Sequence, residues 1–483
     1  MKICIVAEGC YPYAVGGVSS WIHSMVKIYP NVEFVLLALI ANRSQRGAFK
    51  YELPENLTEV HEIYLDDLEW NGKEKNNKKT KLNNKEYKAL RSLVFNENVD
   101  WDTLFKLFAK KNVMVNNLLM GPDFLKVAIE YYEAYFDNVT FADFLWTLRS
   151  VYLPLFIVMK TKIPEADLYH CVSTGYAGIL GCMGQYFHQG KLLISEHGLY
   201  TREREEELIK AEWIGNTYRS IWIQQFKKMS RAAYLRADMV TCLYEYARHL
   251  QIELGCPEEK IKITPNGISV ARMENIPGKR EEDLPYVNVG AILRVAPIKD
   301  VKTLIQAFAQ AKQRCDKLKL WIMGPWEEER EYAEECFQMV SAYGVQDVIF
   351  TDRVDVTQYL GRMDMTILTS ISEGQPLTVL EGYAAHKPAI CTDVGCCREL
   401  IYGNDDGFGA AGILTHIMDV EEIANAIVTL AEDPELRAQM GESGYRRVNA
   451  VYHIDDMQKQ YQRIYRDFCE SVGKTWPTED FKI

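Results

Sequence analysis

The stretch Glu373-Gly-Gln-Pro-Leu-Thr-Val-Leu-Glu381 indicates the fold of the second half of the chain. It follows an apolar run at residues 365–370 that is typical of a buried strand, and it leads into residues 377–385, whose pattern predicts a helix. The first carboxylate then lies on a loop at the carboxyl end of a strand, and the second lies in the first turns of the next helix. Ligands of open parallel α/β sheets bind at that edge.

The start of this helix would attract anions, because its first backbone N–H groups have no partner within the helix and the helix dipole is positive there. Two carboxylates beside such a helix start suit a ligand that carries both hydroxyl groups and phosphates. A sugar nucleotide is a ligand of this kind.

Short apolar runs separated by helical segments recur along both halves of the chain. They lie at residues 3–7, 34–39, 168–172, 192–195 and 239–243 in the first half, and at residues 286–292, 318–323, 348–351, 365–369 and 389–392 in the second. Nearly continuous apolar strands that alternate with amphipathic helices indicate parallel sheets with both faces covered. We therefore predict an α/β protein built from two doubly wound, Rossmann-like domains.

The length of 483 residues favours two or three domains. We predict a first domain over residues 1–275 and a second over residues 285–454. The polar stretch 275–284, which carries a Pro-Gly pair and a run of charges, would connect them. A helix with apolar residues along one face begins the segment 455–483, and we expect this segment to pack back toward the first domain.

Residues 70–165 interrupt the alternation of strands and helices. A lysine- and asparagine-rich loop is followed by aromatic-rich segments without strand signals, which predicts a helical insertion in the first domain. The insertion is either an ordinary helical cap or a surface for an acceptor or a partner. Its most apolar part, residues 145–159, is shorter than the ~20 residues that a membrane span requires, so we expect a buried or partner-facing helix.

The composition limits the classes of function. A net charge of −12 argues against a general nucleic-acid binder and against a polybasic membrane anchor. The amino terminus is typical of a first strand and not of a signal peptide.

The 12 cysteines include no Cys-x-x-Cys pair, which favours reduced thiols in a cytoplasmic protein. The adjacent Cys396 and Cys397 could form a redox pair, but two small residues in a turn is the simpler interpretation.

Three further segments carry candidate ligand-binding residues. Gly16 and Gly17 precede a predicted helix, where glycine lets the backbone approach a ligand, although a Gly-Gly turn is often only structural. Arg294 and Lys299 follow a strand and together can bind a diphosphate, with a solvated basic loop as the alternative. His197 follows another strand and precedes a glycine, although a single histidine is usually structural.

Three motifs follow one another along the chain: Pro265-Asn-Gly-Ile268, Arg294-x4-Lys299 and Glu373-x7-Glu381. In this order they resemble the motifs of the retaining glycosyltransferases of the GT-B fold, the large group called family 4. The Gly16-Gly17 loop fits the same family, and the resemblance covers nearly the whole chain. Residues 169–178 and 196–204 also resemble the narrower PelF family of Pel exopolysaccharide systems.

The resemblance implies a GT-B fold, in which the two domains face a central cleft, and it implies roles for single residues. Arg294 and Lys299 would bind the diphosphate and stabilise the leaving group. Glu373 would bind hydroxyl groups of the donor sugar, and Glu381 would bind the ribose hydroxyls. His197 would lie beside the sugar, where its side chain need not act as a base.

The resemblance also implies contacts made by the backbone and by the nucleobase pocket. Gly16 and Gly17 would approach the diphosphate from the first domain. Backbone groups around four residues would contact the sugar and the phosphate: Gln375, Pro376, Leu377 and Thr378. Members of the family often carry Phe-x-Gly-x-Val near the nucleobase, whereas this chain has Phe350-Thr-Asp-Arg-Val354, so Arg353 would contact the base. The choice of uridine is implied by the PelF resemblance and not by the pocket.

The expected reaction is the transfer of a hexose or N-acetylhexosamine from a UDP-sugar to a growing exopolysaccharide, without a metal ion or another cofactor. UDP-glucose and UDP-N-acetylgalactosamine are both open as donors. The expected protein partners are inner-membrane polysaccharide synthase subunits, through which a cytoplasmic protein would reach the membrane. Binding to nucleic acid is not expected. Two alternatives remain: a UDP-sugar epimerase of the GT-B fold, and a non-catalytic scaffold of a membrane polysaccharide synthase.

Overall fold

The chain divides into two compact units in a computed structural model that describes residues 1–65, 80–111, 113–211 and 215–477. Unit 1 comprises Met1–Cys242, Arg248–Lys262 and Arg463–Ile483, and unit 2 comprises Leu243–Ala247 and Ile263–Gln462. Residues 70–79 of the predicted insertion and residues 478–483 of the predicted final segment lie outside the described residues.

The first sheet is built from β1 Lys2–Glu8, β2 Glu33–Ile40, β3 Leu57–Tyr64, β4 Leu168–Cys171, β5 Lys191–Ser195, β6 Met239–Cys242 and β7 Ile261–Ile263. Within the described residues its order is β3-β2-β1-β4-β5-β6-β7, and β1 to β6 run parallel. The order reverses between β1 and β4, so these two neighbours form the switch point of the sheet, where ligands bind in folds of this kind.

The helices that precede the second sheet are α1 Gly17–Ile28, α2 Asn84–Val94, α3 Trp101–Phe105, α4 Val115–Leu119, α5 Pro122–Tyr135, α6 Phe141–Met159, α7 Gly175–His188, α8 Tyr200–Lys210, α9 Asn216–Arg236 and α10 Glu245–Glu253. Five of them, α2 to α6, occupy the predicted helical insertion. Their apolar sides join the same hydrophobic core as the strands, where Val6 and Leu37 pack in one cluster with Leu90, Phe108 and Phe156. The insertion therefore covers part of the first sheet.

The second sheet is built from β8 Val287–Ile292, β9 Leu318–Met323, β10 Val348–Asp352, β11 Met365–Leu368, β12 Ala389–Thr392 and β13 Gly412–Thr415. Its order in the described residues is β10-β9-β8-β11-β12-β13, and its neighbouring strands are parallel. The helices here are α11 Val301–Arg314, α12 Arg330–Ala342, α13 Leu377–Ala384, α14 Cys397–Tyr402, α15 Val420–Glu432, α16 Pro434–Val451 and α17 Ile454–Ser471. Two doubly wound parallel sheets confirm the predicted fold class.

Three strands were not predicted from the sequence, and each has a local reason. β3 reads Leu-Thr-Glu-Val-His-Glu-Ile-Tyr, and it is the edge strand of its sheet, so it needs no continuous apolar run. β7 and β13, of 3 and 4 residues, are also edge strands in the described sheets, so neither needs a continuous apolar run. The ten predicted strands all form, with ends that shift by one residue at most.

Helix α6 is longer than the apolar segment predicted at 145–159, because it begins at Phe141. Among the described residues, it is the one helix with the length and hydropathy to cross a membrane, a test that core helices also pass. Phe144, Leu148 and Phe156 of this helix are fully buried in the core of unit 1, whereas Trp146 is 53% exposed. Part of α6 therefore packs in the core of unit 1, while 39% of its most apolar window is buried.

Residues 275–284, predicted to connect the two domains, lie inside unit 2. Arg362 donates from Nε to Oδ2 of Asp283 (2.7 Å) and from Nη2 to Oδ1 (3.0 Å), and both side chains are buried. A bidentate pair of this kind fixes geometry as well as charge. The Pro-Gly pair and the run of charges therefore belong to an anchored segment of unit 2, which the local composition does not reveal.

Candidate functional site

The predicted donor-binding residues follow the two strands at the switch point of the second sheet. β8 and β11 are the neighbours at which the strand order reverses. Residues 293–300 follow β8, and residues 369–376 follow β11, so both loops leave the same edge of the sheet. Crevices at this edge are the usual ligand sites of doubly wound folds.

A cation from one loop meets a carboxylate from the other. Lys299 donates from Nζ to Oε1 of Glu373, and the Ser370 hydroxyl donates to the same oxygen at 2.5 Å. The side chains of Lys299 and Glu373 are only 23% and 12% exposed. The backbone N–H of Ile371 donates to the carbonyl of Ile298 (2.9 Å), which holds the two loops together. The structure thus brings together two of the four side chains that the sequence assigned to the donor.

A third loop supports this pair, and sequence reasoning missed it. The N–H of Cys396 donates to the carbonyl of Gly374 at 3.0 Å. Gly395 has a φ of +54°, and a Cβ there would lie 2.4 Å from the carbonyl oxygen of Glu373. Only glycine permits so close an approach of the two loops. The signal in the sequence is a glycine just after β12, although glycines also end many strands without such a role.

The start of α13 is free of a capping side chain. Pro376 precedes Leu377, the first helical residue, and no side chain caps the helix. Pro376 has no N–H group, so Leu377 and Thr378 are the donors nearest to the start of the helix. The side chain of Gln375 binds the backbone of Asn266 through two hydrogen bonds. Gln375 Nε2 donates to the carbonyl of Asn266 (3.1 Å), and the N–H of Asn266 donates to Oε1 of Gln375 (2.8 Å).

Glu381 lies in α13, as predicted, and is partly buried. Burial raises the pKa of its carboxyl group, and the positive charge of Arg272 opposes that shift. Arg272 belongs to the 3-10 turn Val270–Met273, which follows the Pro-Asn-Gly motif at residues 265–267. Sequence reasoning did not single out Arg272, because its proximity to Glu381 depends on a contact between distant segments.

Arg294 does not join the Lys299–Glu373 pair. Its Nη1 donates to Oε2 of Glu328 at 2.8 Å, and these two side chains are 49% and 61% exposed. Arg353 is exposed after β10, and its backbone N–H donates to Oδ1 of Asp352. The structure therefore gives Arg294 an acidic partner that the sequence prediction did not include.

Gly16 and Gly17 lie at the switch point of the first sheet, after β1. α1 begins at Gly17 and has no capping side chain. A Cβ added to either glycine would meet no other atom within 4 Å. Packing within unit 1 therefore does not require glycine at these positions, and the backbone is open to approach there.

His197 follows β5 at the same edge of the first sheet. Its Nε2 is buried and has no hydrogen-bond partner among the described residues. The ring packs edge-on against Trp21 at a centroid distance of 4.6 Å. Burial lowers the pKa of His197 to about 4, so the imidazole is neutral at neutral pH. The preceding Glu196 is buried and accepts hydrogen bonds from three side chains: those of Thr174, Tyr234 and Gln251.

Two family models match the chain. The model described as "Domain of unknown function (DUF3492)" matches residues 1–259, which is more than half of the chain, and the model described as "Glycosyl transferases group 1" matches residues 286–433. The second match contains the Lys299–Glu373 pair and helix α13.

Individual relatives agree with these matches. N-acetyl-alpha-D-glucosaminyl L-malate synthase of Bacillus anthracis is 27% identical over 244 residues, which are 48% of this chain and 60% of that enzyme. The capsular polysaccharide biosynthesis glycosyltransferase CapM of Staphylococcus aureus is 24% identical over 67% of this chain and 84% of that protein.

Solved structures share the fold at low sequence identity. Anabaena HepE in complex with UDP and glucose has a TM-score of 0.58 and 16% identity, covering 96% of this chain and 99% of that chain. Sucrose-phosphate synthase from Thermosynechococcus elongatus has a TM-score of 0.61 and 14% identity, covering 97% and 99%. These likenesses show the GT-B fold. The chain belongs to the family described as "Domain of unknown function (DUF3492)", and its residues 286–433 are similar to the family described as "Glycosyl transferases group 1".

Proposed function

We propose that this protein is a retaining glycosyltransferase that moves a hexose or N-acetylhexosamine from a UDP-sugar to a growing exopolysaccharide. The observation that carries the proposal is the pairing of Lys299 with Glu373 at the switch point of the second sheet. In this pair, the cation that would bind a diphosphate lies beside the carboxylate that would bind sugar hydroxyls, and both precede the helix that carries Glu381.

The proposed mechanism depends on stabilising the leaving group. In transfer with retention, positive charge grows on the anomeric carbon while negative charge grows on the departing diphosphate. Lys299 and the uncapped start of α13 would stabilise that negative charge. Preorganised charges of this kind usually make the largest single contribution to catalysis. Partial burial strengthens the effect of Lys299, because the lower local dielectric screens its charge less than water does.

On donor binding, Arg294 would exchange its ion pair with Glu328 for contacts with the diphosphate. Exposed ion pairs contribute little to stability, and this pair is about half exposed on both sides. A diphosphate offers the guanidinium group a more strongly charged partner with bidentate geometry. Glu328 would thus hold Arg294 in the absence of the donor.

The other proposed contacts follow the same reasoning. Glu373 would orient hydroxyl groups of the donor sugar, and Glu381 would bind the ribose. Backbone N–H groups of Leu377 and Thr378 would bind phosphate or sugar oxygens, with Gln375 and Pro376 shaping the approach to α13. In unit 1, backbone N–H groups at the start of α1 would bind the diphosphate, and neutral His197 would lie beside the sugar. Arg353 would contact the nucleobase.

The choice of a UDP-sugar is supported by structural neighbours of the same fold. HepE was solved with UDP and glucose, and also with UDP-glucose. A PelF-like role is supported by residues 169–178 and 196–204, and the part that CapM plays in capsular polysaccharide biosynthesis supports a polysaccharide acceptor. In this role the protein would act at the cytoplasmic side of the inner membrane with polysaccharide synthase subunits as partners.

A panel of nucleotide sugars tests the proposal. The purified protein is incubated with UDP-glucose or UDP-N-acetylgalactosamine, with and without saccharide acceptors, and UDP release and products are measured. Formation of a glycoside with the donor's anomeric configuration, assigned by NMR, is the expected result. A new epimer of the donor without any glycoside would identify an epimerase instead. Binding of UDP without any turnover would point to a scaffold.

Replacement of Glu381 by alanine should weaken the binding of free UDP by about 10- to 100-fold, because hydrogen bonds to a charged group are strong. Isothermal titration calorimetry with UDP measures this change. Glu421→Ala in α15 removes an exposed carboxylate from the same unit and serves as the matched control. Unchanged UDP affinity in Glu381→Ala would remove the ribose contact from the proposal.

Removal of divalent metal ions should leave the rate of transfer unchanged. In the proposed mechanism, Lys299, Arg294 and the start of α13 stabilise the negative charge of the leaving group, so no metal ion is needed. Initial rates before and after treatment with EDTA, with and without added magnesium, measure this. A rate that falls with EDTA and returns with magnesium would show that a metal ion carries part of that charge.

A further inference from the structure

Asp300, the residue that follows Lys299, has a left-handed backbone conformation, with a φ of +47° and a ψ of +52°. Eight non-glycine residues in the described part of the chain have a positive φ, and among these Asp300 alone is buried, at 7% exposure. This conformation is unfavourable for a residue with a Cβ and persists only where the surroundings enforce it. Backbone outliers of this kind concentrate at functional sites. This one lies directly beside the cation that the proposed mechanism uses.

The left-handed residue joins two helical segments. Lys299 is the last residue of the 3-10 turn Pro297–Lys299, and α11 begins one residue after Asp300. The N–H of Asp300 donates to the carbonyl of Pro297 (3.1 Å), and the carbonyl of Asp300 accepts from the N–H of Leu304 (3.2 Å). Asp300 thus ends the 3-10 turn and starts the helix. Its φ and ψ determine how the backbone of Lys299 is oriented relative to α11.

Side chains fix this conformation at the start of α11. Oδ1 of Asp300 accepts a hydrogen bond from the N–H of Thr303 (3.3 Å) and thereby caps the helix. Oδ2 is buried and has no hydrogen-bond partner among the described residues. The N–H of Lys302 donates to the hydroxyl of Tyr332 in α12 at 3.4 Å. The start of α11 is therefore capped by side chains, in contrast to the start of α13.

The neighbouring loop holds the same backbone from the other side. Thr369 directly follows β11 and is 1% exposed. Its Oγ1 lies 3.1 Å from the carbonyl oxygen of Lys299 and 3.2 Å from that of Asp300, and its hydroxyl donates to these two groups. The backbone at Lys299 therefore cannot turn away from Glu373 without breaking hydrogen bonds on the loop after β11.

We propose that Asp300 is a positioning residue for Lys299. Its left-handed conformation and its cap on α11 hold the backbone of Lys299 so that the ammonium group reaches Glu373 before the donor binds. Groups that stabilise a transition state have to be held in place by their neighbours. This inference rests on the proposed function, in which Lys299 stabilises the leaving group. An ordinary helix cap contributes to stability alone, whereas a positioning residue also contributes to turnover through the residue that it holds.

Asp300→Ala in the full chain tests the inference, because alanine neither caps the helix nor favours a left-handed backbone. Turnover with the active UDP-sugar should fall about 10- to 100-fold, since small displacements of reacting groups are costly. The affinity for free UDP, measured by calorimetry, should change by less than about threefold. Asp300→Asn should restore most of the turnover, because asparagine also adopts this conformation and its Oδ1 can accept from Thr303. Equal turnover of the two variants would overturn the inference.

A double-mutant cycle shows whether Asp300 acts through Lys299. In the Lys299→Ala background, Asp300→Ala should change the remaining turnover by less than about threefold, because the group that it positions is absent. A loss of the same size in both backgrounds would contradict the inference, since Asp300 would then act on stability or on another group. If Asp300→Ala fails to fold by circular dichroism, Thr369→Val takes its place in the cycle. It removes only a hydroxyl and should lower turnover about 2- to 10-fold in the wild-type background alone.

Two other aspartates of unit 2 control for the local effects of the substitution. Asp433→Ala removes a comparable cap, in which Oδ1 of Asp433 accepts from the N–H of Leu436 (2.9 Å) at the start of α16. Asp405→Ala places alanine at an exposed position with a φ of +57°. Both variants should have lower melting temperatures and wild-type turnover. A loss of turnover in either control as large as that in Asp300→Ala would attribute the effect to stability and refute the positioning role.

NMR of the protein with reductively ¹³C-methylated lysines gives a readout that does not depend on turnover, since methylation keeps the positive charge. The signal that disappears in Lys299→Ala identifies Lys299. In Asp300→Ala this signal should move toward the shifts of exposed lysines, and in Asp300→Asn it should stay in place. An unmoved signal in a folded Asp300→Ala would overturn the inference. A signal that moves as expected in a protein that turns over no UDP-sugar would instead refute the proposed transferase and leave the positioning of Lys299 intact.

Discussion

Replacement of Lys299 by alanine should lower turnover by about 100- to 1,000-fold, the usual effect of removing one group that stabilises transition-state charge. Donor binding should change far less, by about threefold, because the charge on the diphosphate grows mainly as the bond breaks. Lys299 reaches Glu373 from a neighbouring loop and is only 23% exposed. Its charge is therefore held in place before the donor arrives and needs no reorganisation during the reaction.

Steady-state kinetics with the active UDP-sugar separate these two effects. Lys317→Ala removes an exposed lysine from the same unit and should leave both constants unchanged. A Lys299→Ala enzyme with wild-type turnover and only a raised donor Michaelis constant would contradict the proposed role. Thermal unfolding of both variants shows whether the loss reflects chemistry or stability, since Glu373 keeps its hydrogen bond from Ser370 in the absence of the lysine.

Gly395→Ala should lower turnover strongly although it replaces no charged residue. The new Cβ would lie 2.3 Å from the carbonyl oxygen of Gly374 and 2.4 Å from that of Glu373. The loop after β11 would have to move, and Glu373 would move with it. A displacement of ~1 Å at reacting groups can cost about 100-fold in rate, so we expect a loss of turnover of that order.

Gly407→Ala is the matched control, because it separates backbone strain from collision. Gly407 has a φ of +74°, and a Cβ there would meet nothing within 4 Å. Both variants place alanine in the left-handed region, which costs about 1–2 kcal/mol. Differential scanning calorimetry should therefore show lower melting temperatures for both, while activity assays show the large loss for Gly395→Ala alone. Equal activity of the two variants would mean that the position of the Glu373 loop does not limit the reaction.

Much of the fold could be predicted from local pattern. Apolar runs bounded by turns identify the buried strands such as β1, β9 and β12, because a strand covered on both faces must be apolar along its length. The edge strand β3 was not predicted because it is only partly buried and therefore lacks a continuous apolar run. The connection at 275–284 was misplaced, since its charges pair with Arg362 from a distant segment.

The candidate site was predictable to the extent that it depends on strand ends. Lys299 and Glu373 each follow a strand, and adjacent parallel strands bring their ends together, so their meeting could be anticipated. Glu328 as the partner of Arg294, and Arg272 near Glu381, could not be anticipated, because each contact joins segments with no local signal of proximity. The role of Gly395 could not be anticipated either, because it depends on how closely a neighbouring loop approaches this glycine.

The discontinuity of unit 1 has a consequence for biosynthesis. His170 at the centre of β4 shares a hydrogen bond of 2.8 Å with the hydroxyl of Tyr465, and Lys474 pairs with Asp167 at 2.8 Å, both across about three hundred positions of the chain. Domains usually fold as units while the ribosome is still elongating the polypeptide. Here the nascent unit 1 has to wait for its last packing partners until unit 2 has emerged. Chaperone dependence during translation should accordingly exceed that of a protein whose first domain is complete at its own boundary.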